Sequence, residues 1–263
     1  MPNKAPTSHD FDSIGSELRF AGDRALIQSL IVKVAEFVHN LDIPPEYRKY
    51  IEFGRAVKRA YAQRLSTALA QKVADGLRPR FRGILPDEHG AKHESKSASA
   101  SGLKKLDVNY SNPRIGLGLG VSIKTLNFRD EATGRFTKNM KRLDGELRAE
   151  AQDYHQRQPF AVLVALVFVP DEAAHDSESK SSLRHAWEVF RRRGGRESHN
   201  ADASLFERLW LCVYRTSSTN FGQCVCYDVA DEFPHVELPT NGFTLTEALS
   251  QIEAEFEKRN KNH

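Results

Sequence analysis

Apolar residues recur at helical spacing early in the chain. Leu26, Ile27, Leu30, Ile31, Val34, Phe37 and Val38 fall on one face of a segment running from Asp23 to Leu41, with Asp23 placed to cap it. Pro44 and Pro45 restart the chain. A long helical stretch is predicted from Glu46 to about Leu77, its second half amphipathic enough to pack along a sheet. From Asp87 to Gly102 the apolar period disappears into a run rich in Ser, Ala and Lys, which predicts a surface loop.

The pattern then alternates. Leu103 to Tyr110 and Ile115 to Phe128 read as two strands joined by a turn at Ser111 to Arg114, which makes a hairpin. After a polar loop, a helix is expected from about Met140 to Gln156. A continuous apolar run follows Pro159 and reads as a strand buried on both faces. A helix over SSLRHAWEVFRRR, two strand-like runs around Cys212 and Cys226, and a closing helix from Thr244 to Lys258 complete the chain. Strand, strand, helix, buried strand is an α/β order.

Composition changes this picture little. Hydrophobic residues make up 40% of the 263 residues and charged residues 28%, ordinary for a chain that buries a core. The longest apolar run, Phe160 to Pro170, is too short to cross a bilayer, and the first residues lack a signal-peptide core, so no membrane and a cytoplasmic location are expected. Cys212, Cys224 and Cys226 make no disulfide framework and fail the two-pair spacing of a structural zinc site, so buried thiols are the reading. His89 and His93 sit four apart in the polar run and read as solvated. The net charge of +3 says little about partners. Three basic clusters say more: Arg78, Arg80 and Arg82; Lys138, Lys141 and Arg142; and Arg191, Arg192 and Arg193 with Arg196. Such clusters neutralise phosphates or simply solvate a face.

The candidate chemistry lies in the hairpin. Asp107 falls in its first strand, while Ser122 and Lys124, two apart, share a face near the end of the second. Their neighbours Leu106, Val108, Val121 and Ile123 make the setting partly buried, where a carboxylate and an ammonium attract each other or a metal. On the following helix, Leu143, Leu147 and Tyr154 project within about 40° of one another. Glu150 falls in that stripe, Glu146 sits at its edge, and Asp144 lies on the opposite flank. A carboxylate on a core-facing stripe calls for a cation.

An aspartate on one strand, a short hairpin, an apolar-flanked x-Lys on the next and then a helix resemble the PD-(D/E)xK nuclease superfamily over roughly Leu103 to Pro170. Tyr61 to Leu77 would stand as the preceding core helix. Ser122 occupies the position where that superfamily has Asp or Glu, and some of its restriction enzymes resemble this case, taking the missing acid from the following helix. Glu150-x-x-x-Tyr154 also resembles, with Glu for Gln, a motif of the RecB-like branch.

The resemblance implies an α/β restriction-endonuclease-like core, a central mixed sheet flanked by helices. Residues 1–58 would be an N-terminal helical extension and residues 59–263 the nuclease-like domain. It implies Mg²⁺ or Mn²⁺ held by Asp107, Glu150 and the Ile123 carbonyl, with Glu150 or Glu146 completing the site and Lys124 orienting water or stabilising phosphate charge. Lys138, Arg142, Arg191, Arg192 and Arg193 would meet the DNA backbone. The implied activity is that of an endodeoxyribonuclease of restriction or phage-defence type, acting as a homodimer or with a partner subunit. The alternative is a catalytically silent subunit of the same fold that binds DNA or a partner protein.

Other readings compete. Asp107 and Lys124 can be a structural ion pair across a hairpin. The alternating glycines Gly116, Gly118 and Gly120 open no helix, so they fail as a dinucleotide loop and instead suggest close packing, by a helix above all. Ser122 as a nucleophile would need a histidine beside it, and nothing fixes His155, His185 or His199 there; His155 suits a helix C-terminus instead.

Overall fold

A computed structural model describes residues 48–90, 96–99, 102–114, 116–130, 132–216, 223–233 and 241–260. The helix expected over 23–41 and His93 lie outside the described residues. Helix α1 (Arg48–Leu77) comes first and crosses the division expected at residue 58. Strands β1 (Lys96–Ser99) and β2 (Gly102–Lys105) then pair antiparallel, with Ser99 opposite Gly102. A hairpin therefore occupies part of the stretch read as a surface loop. Backbone pairing needs no apolar period, so polar composition hid it.

The main sheet has six strands in the order β3-β4-β5-β6-β7-β8. They are β3 (Val108–Asn112), β4 (Gly116–Thr125), β5 (Val162–Pro170), β6 (Arg208–Tyr214), β7 (Cys224–Asp228) and β8 (Phe243–Thr244). β4, β5 and β6 run parallel, while β3, β7 and β8 attach antiparallel at the edges. Helices α2 (Met140–Arg157) and α3 (Ser182–Phe190) lie between the central strands in sequence, and α4 (Leu245–Asn260) closes the described chain. The class is α/β with a mixed sheet. No described helix is long and apolar enough to cross a membrane.

β5 shows why its sequence is unbroken by polar residues: all nine of its positions are buried. Leu163, Ala165, Val167 and Val169 join the core beneath α2 and α3. Val162, Val164, Leu166 and Phe168 join a second core with α1 and α4 residues such as Val73, Leu77, Ala248 and Ile252. Successive strand side chains point to opposite faces, so a strand covered on both sides must be apolar throughout.

Two glycines of the hairpin are fixed by conformation or space. Gly116 has φ +71°, a left-handed value that side chains rarely adopt. A Cβ on Gly120 would stand 2.7 Å from Leu106 Cδ1 and 2.8 Å from Leu163 Cδ2. The close packing expected at these glycines thus comes at Gly120 from two leucine side chains rather than from a helix.

Candidate active site at the end of strand β4

The faces of β4 decide which of its side chains can meet. Leu119, Val121 and Ile123 join the α1/α4 core. Ser122 and Lys124 therefore point the other way, towards α2, beside Ala165 and Val167 of β5 in register. Lys124 stands next to the last residue of β4, at the carboxyl end of the parallel strands, where open α/β sheets bind ligands.

Asp107 reaches the same place by a different route from the one its sequence suggests. It sits in a bend between β2 and β3 rather than inside a strand. The β3–β4 ladder ends at the Val108–Val121 pair, so the Ile123 peptide lies beyond the last rung. Its amide donates instead to Asp107 Oδ2 at 2.7 Å. The carboxylate takes the place of a missing strand partner, which holds its charge at the β4 end.

Helix α2 supplies the acid. Its buried residues are Met140, Leu143, Asp144, Leu147, Ala151, Tyr154 and His155. At about 100° per residue this face is centred roughly 80° from Glu150, so Glu150 lies on its margin instead of within it. There Glu150 Oε2 accepts from Lys124 Nζ at 3.1 Å, and the two side chains are only 18% and 19% exposed. Burial opposes the Lys124 charge, but Glu150 and Asp107, with Glu146 farther off, outweigh it and hold the ammonium above its usual range. Glu146 is 42% exposed and pairs with Arg142 at 2.8 Å, one turn away.

Two hydroxyls near this cluster are buried without a hydrogen-bond partner: Ser122 Oγ and Tyr154 Oη. Each such group costs about 1–3 kcal/mol unless something fills its shell. Burial first, then the nearby charges of Glu150 and Asp107, push the Tyr154 phenol up, so it stays protonated and able to donate. The arrangement offers two half-buried carboxylates, an ammonium and two unsatisfied hydroxyls in one place.

The oxygens are donors of the kind a hard cation takes. They are not gathered as a ready cage: among the described residues, three or more His, Cys, Asp or Glu donors converge only at Cys212, Cys224 and Cys226. A divalent ion on Asp107 and Glu150 would require Lys124 to give up Glu150, which it binds at 3.1 Å. The Ile123 carbonyl belongs to the same peptide stretch past the last ladder rung.

The basic residues divide. Lys138 is 71% exposed and pairs with Asp130, and Arg142 is 65% exposed. Arg191, Arg192 and Arg193 form a 3-10 turn after α3. Arg192 and Arg193 both bind Asp144, at 2.9 and 2.5 Å. Arg193 is only 12% exposed and braces this turn against α2. Arg191 is exposed. Arg78 is likewise drawn inward, donating to the Ile84 and Pro86 carbonyls. His89 is exposed, as a solvated residue would be.

His155 does lie in the last turn of α2, as its position suggested, but it is held there by more than the helix end. It is fully enclosed, with Nε2 3.3 Å from Glu207 Oε2 and Nδ1 3.1 Å from the Ala203 carbonyl. Glu207 also binds Arg196 at 2.8 Å and Arg259 at 3.0 Å, and accepts from the Leu163 amide at 2.7 Å. This network sits where β5 and β6 begin, at the end of the parallel strands away from Lys124, and fastens the end of α2. Its members are scattered over four segments, and nothing in their spacing announces it.

Comparison of the chain with protein-family models, with curated proteins and with solved structures finds no match.

Proposed function

We propose that this chain is a nuclease-like protein of the PD-(D/E)xK type, in which Asp107, Lys124 and Glu150 hydrolyse DNA phosphodiesters with the aid of Mg²⁺ or Mn²⁺. The observation that carries the reading is the 3.1 Å contact between Lys124 and Glu150 beside Asp107, at the carboxyl end of β4. An acid moved from position 122 to the following helix would have to meet the lysine there. Helix α1, the β3–β4 hairpin, α2 and a parallel β5 also follow in the order the resemblance implies.

Asp107 and Glu150 would hold the cation with the Ile123 carbonyl, and Glu150 or Glu146 would polarise the attacking water. When bound, such an ion supplies Lewis acidity and lowers the pKa of a coordinated water. Lys124, released from Glu150, would offer its ammonium to the charge that develops on the attacked phosphate. Tyr154 and Ser122 have free hydroxyls to orient water beside these groups. Lys138, Arg142, Arg191 and Arg192 would meet the DNA backbone, fixing position without reading bases. An endonuclease of restriction or phage-defence type, as a homodimer or with a partner subunit, is the form this reading takes.

A second reading has its own support. Ser122 stands where the acid is expected and the carboxylates are not gathered as a cage, which suits a silent subunit of the same fold that binds DNA or a partner. Supercoiled plasmid incubated with purified chain in Mg²⁺, Mn²⁺ or EDTA separates the two. Metal-dependent nicking supports the nuclease. Folded protein that retards DNA in a gel without ever cutting it supports the binding subunit.

A further inference from the structure

β6 and β7 carry a second cluster on the sheet face away from the Lys124 site. Cys212 and Cys226 are directly opposed across the antiparallel ladder, and Cys224 is two residues from Cys226, so all three share one face. That face belongs to the α1/α4 core, which includes Cys212 and Cys226. The three sulfurs lie within 4.8 Å of one another, and the Cys212 and Cys226 sulfurs are 3.2 Å apart. All three cysteines are free thiols, and Cys224 is the most accessible.

We propose that Cys212, Cys224 and Cys226 form a three-thiolate site for one divalent d¹⁰ cation of the zinc type. Three sulfurs around zinc at about 2.3 Å stand roughly 3.8 Å apart, so the Cys212–Cys226 edge, at 3.2 Å, needs to open by only about half an ångström, and no edge exceeds 4.8 Å. Rotation of side chains on rigid paired strands supplies that without moving the backbone. Sulfur donors select soft cations over the hard ions suited to the carboxylate site.

Charge points to a divalent ion. Three thiolates and a 2+ cation leave a single negative charge, and the Lys72 ammonium on α1 lies close enough to act on Cys224. A monovalent cation would leave two negative charges against an apolar core. Binding displaces the thiol protons to solvent, which makes affinity fall as pH falls. A zinc ion tying β6 to β7 would stabilise the antiparallel side of the sheet.

The full chain, purified under reductant and stripped with a chelator, is titrated with Cd²⁺ as an optical probe and with Zn²⁺ against a chromophoric chelator. The expected result is one ion per chain, a sulfur-to-cadmium charge-transfer band, protection of all three thiols from alkylation and a Zn²⁺-dependent rise in Tm. Cys224→Ser, at the most accessible ligand, should lose most of the band. The wild-type titration decides the matter even if a cysteine variant fails to fold. The proposal is overturned by a wild-type chain that gives no band and no thiol protection. It is equally overturned by an unchanged band in Cys224→Ser.

Discussion

Replacing Glu207 by glutamine should cost more stability than any other single carboxylate change among the described residues. Its side chain is fully buried, as are those of His155 and, within 1%, Arg196; Arg259 is 7% exposed. Glutamine keeps one acceptor but removes the charge that Arg196 and Arg259 require. It also turns an amide N–H towards a group that donates. Leaving buried charges without their partner costs about 3–5 kcal/mol. Total stability of a domain is about 5–15 kcal/mol, so this loss is a large fraction. For a chain of this size it corresponds to a fall in Tm of roughly 6–20 °C.

The pH dependence follows from the same group. Burial opposes the Glu207 charge, but His155, the Leu163 amide and Arg196 outweigh it and hold the carboxyl below its usual range. Its folded pKa is depressed, so its contribution is complete above the ordinary glutamate range. It is lost as pH falls through the folded value. Urea unfolding of wild type and Glu207→Gln at pH 7 and again at lower pH measures both effects, and the gap between the curves should narrow in acid. A difference below about 1 kcal/mol at pH 7 would refute the claim that this network is a buried, mutually dependent ionic cluster.

Two further changes probe how α2 and the hairpin are seated. Asp144→Asn removes the negative charge and one of the two oxygens that hold Arg192 and Arg193. This pair lies between the exposed and buried limits, so about 1–3 kcal/mol should be lost in urea unfolding. Burial opposes the Asp144 charge, but Arg193 and Arg192 hold the carboxyl below its usual range, so this stabilisation too is present above the ordinary aspartate range and disappears as pH falls. Gly120→Ala sets a methyl within 2.8 Å of Leu106 and Leu163 side chains and should destabilise by about 1–3 kcal/mol, read as a lower urea midpoint.

Much of the frame was legible because it follows from period alone. The unbroken apolar run after Pro159 is β5, and the stripe of Leu143, Leu147 and Tyr154 is the buried face of α2. The spacing of Ser122 and Lys124 put them on one face of β4, and the structure brings Asp107 and Glu150 to that lysine. What sequence hid depends on register and on bends. Asp107 leaves the strand because the ladder stops at Val108, which no local pattern records. The buried face of α2 is centred nearer Ala151 than the first stripe suggests, because Asp144 and His155 are also buried by distant partners. The three cysteines had a visible signal, two alternate positions on one strand. The third ligand became apparent only with the pairing of β6 and β7.

The proposed chemistry rests on Lys124 and Glu150 acting together on a phosphodiester. The rate of Mg²⁺-dependent plasmid nicking by Lys124→Met and Glu150→Gln, each shown to be folded by circular dichroism, is the most direct test. Loss of at least about 100-fold in both, the scale expected when a charge-stabilising or proton-handling group is removed, is the predicted result. Nicking by both variants at the wild-type rate would contradict it and return the Lys124–Glu150 contact to the status of a structural ion pair.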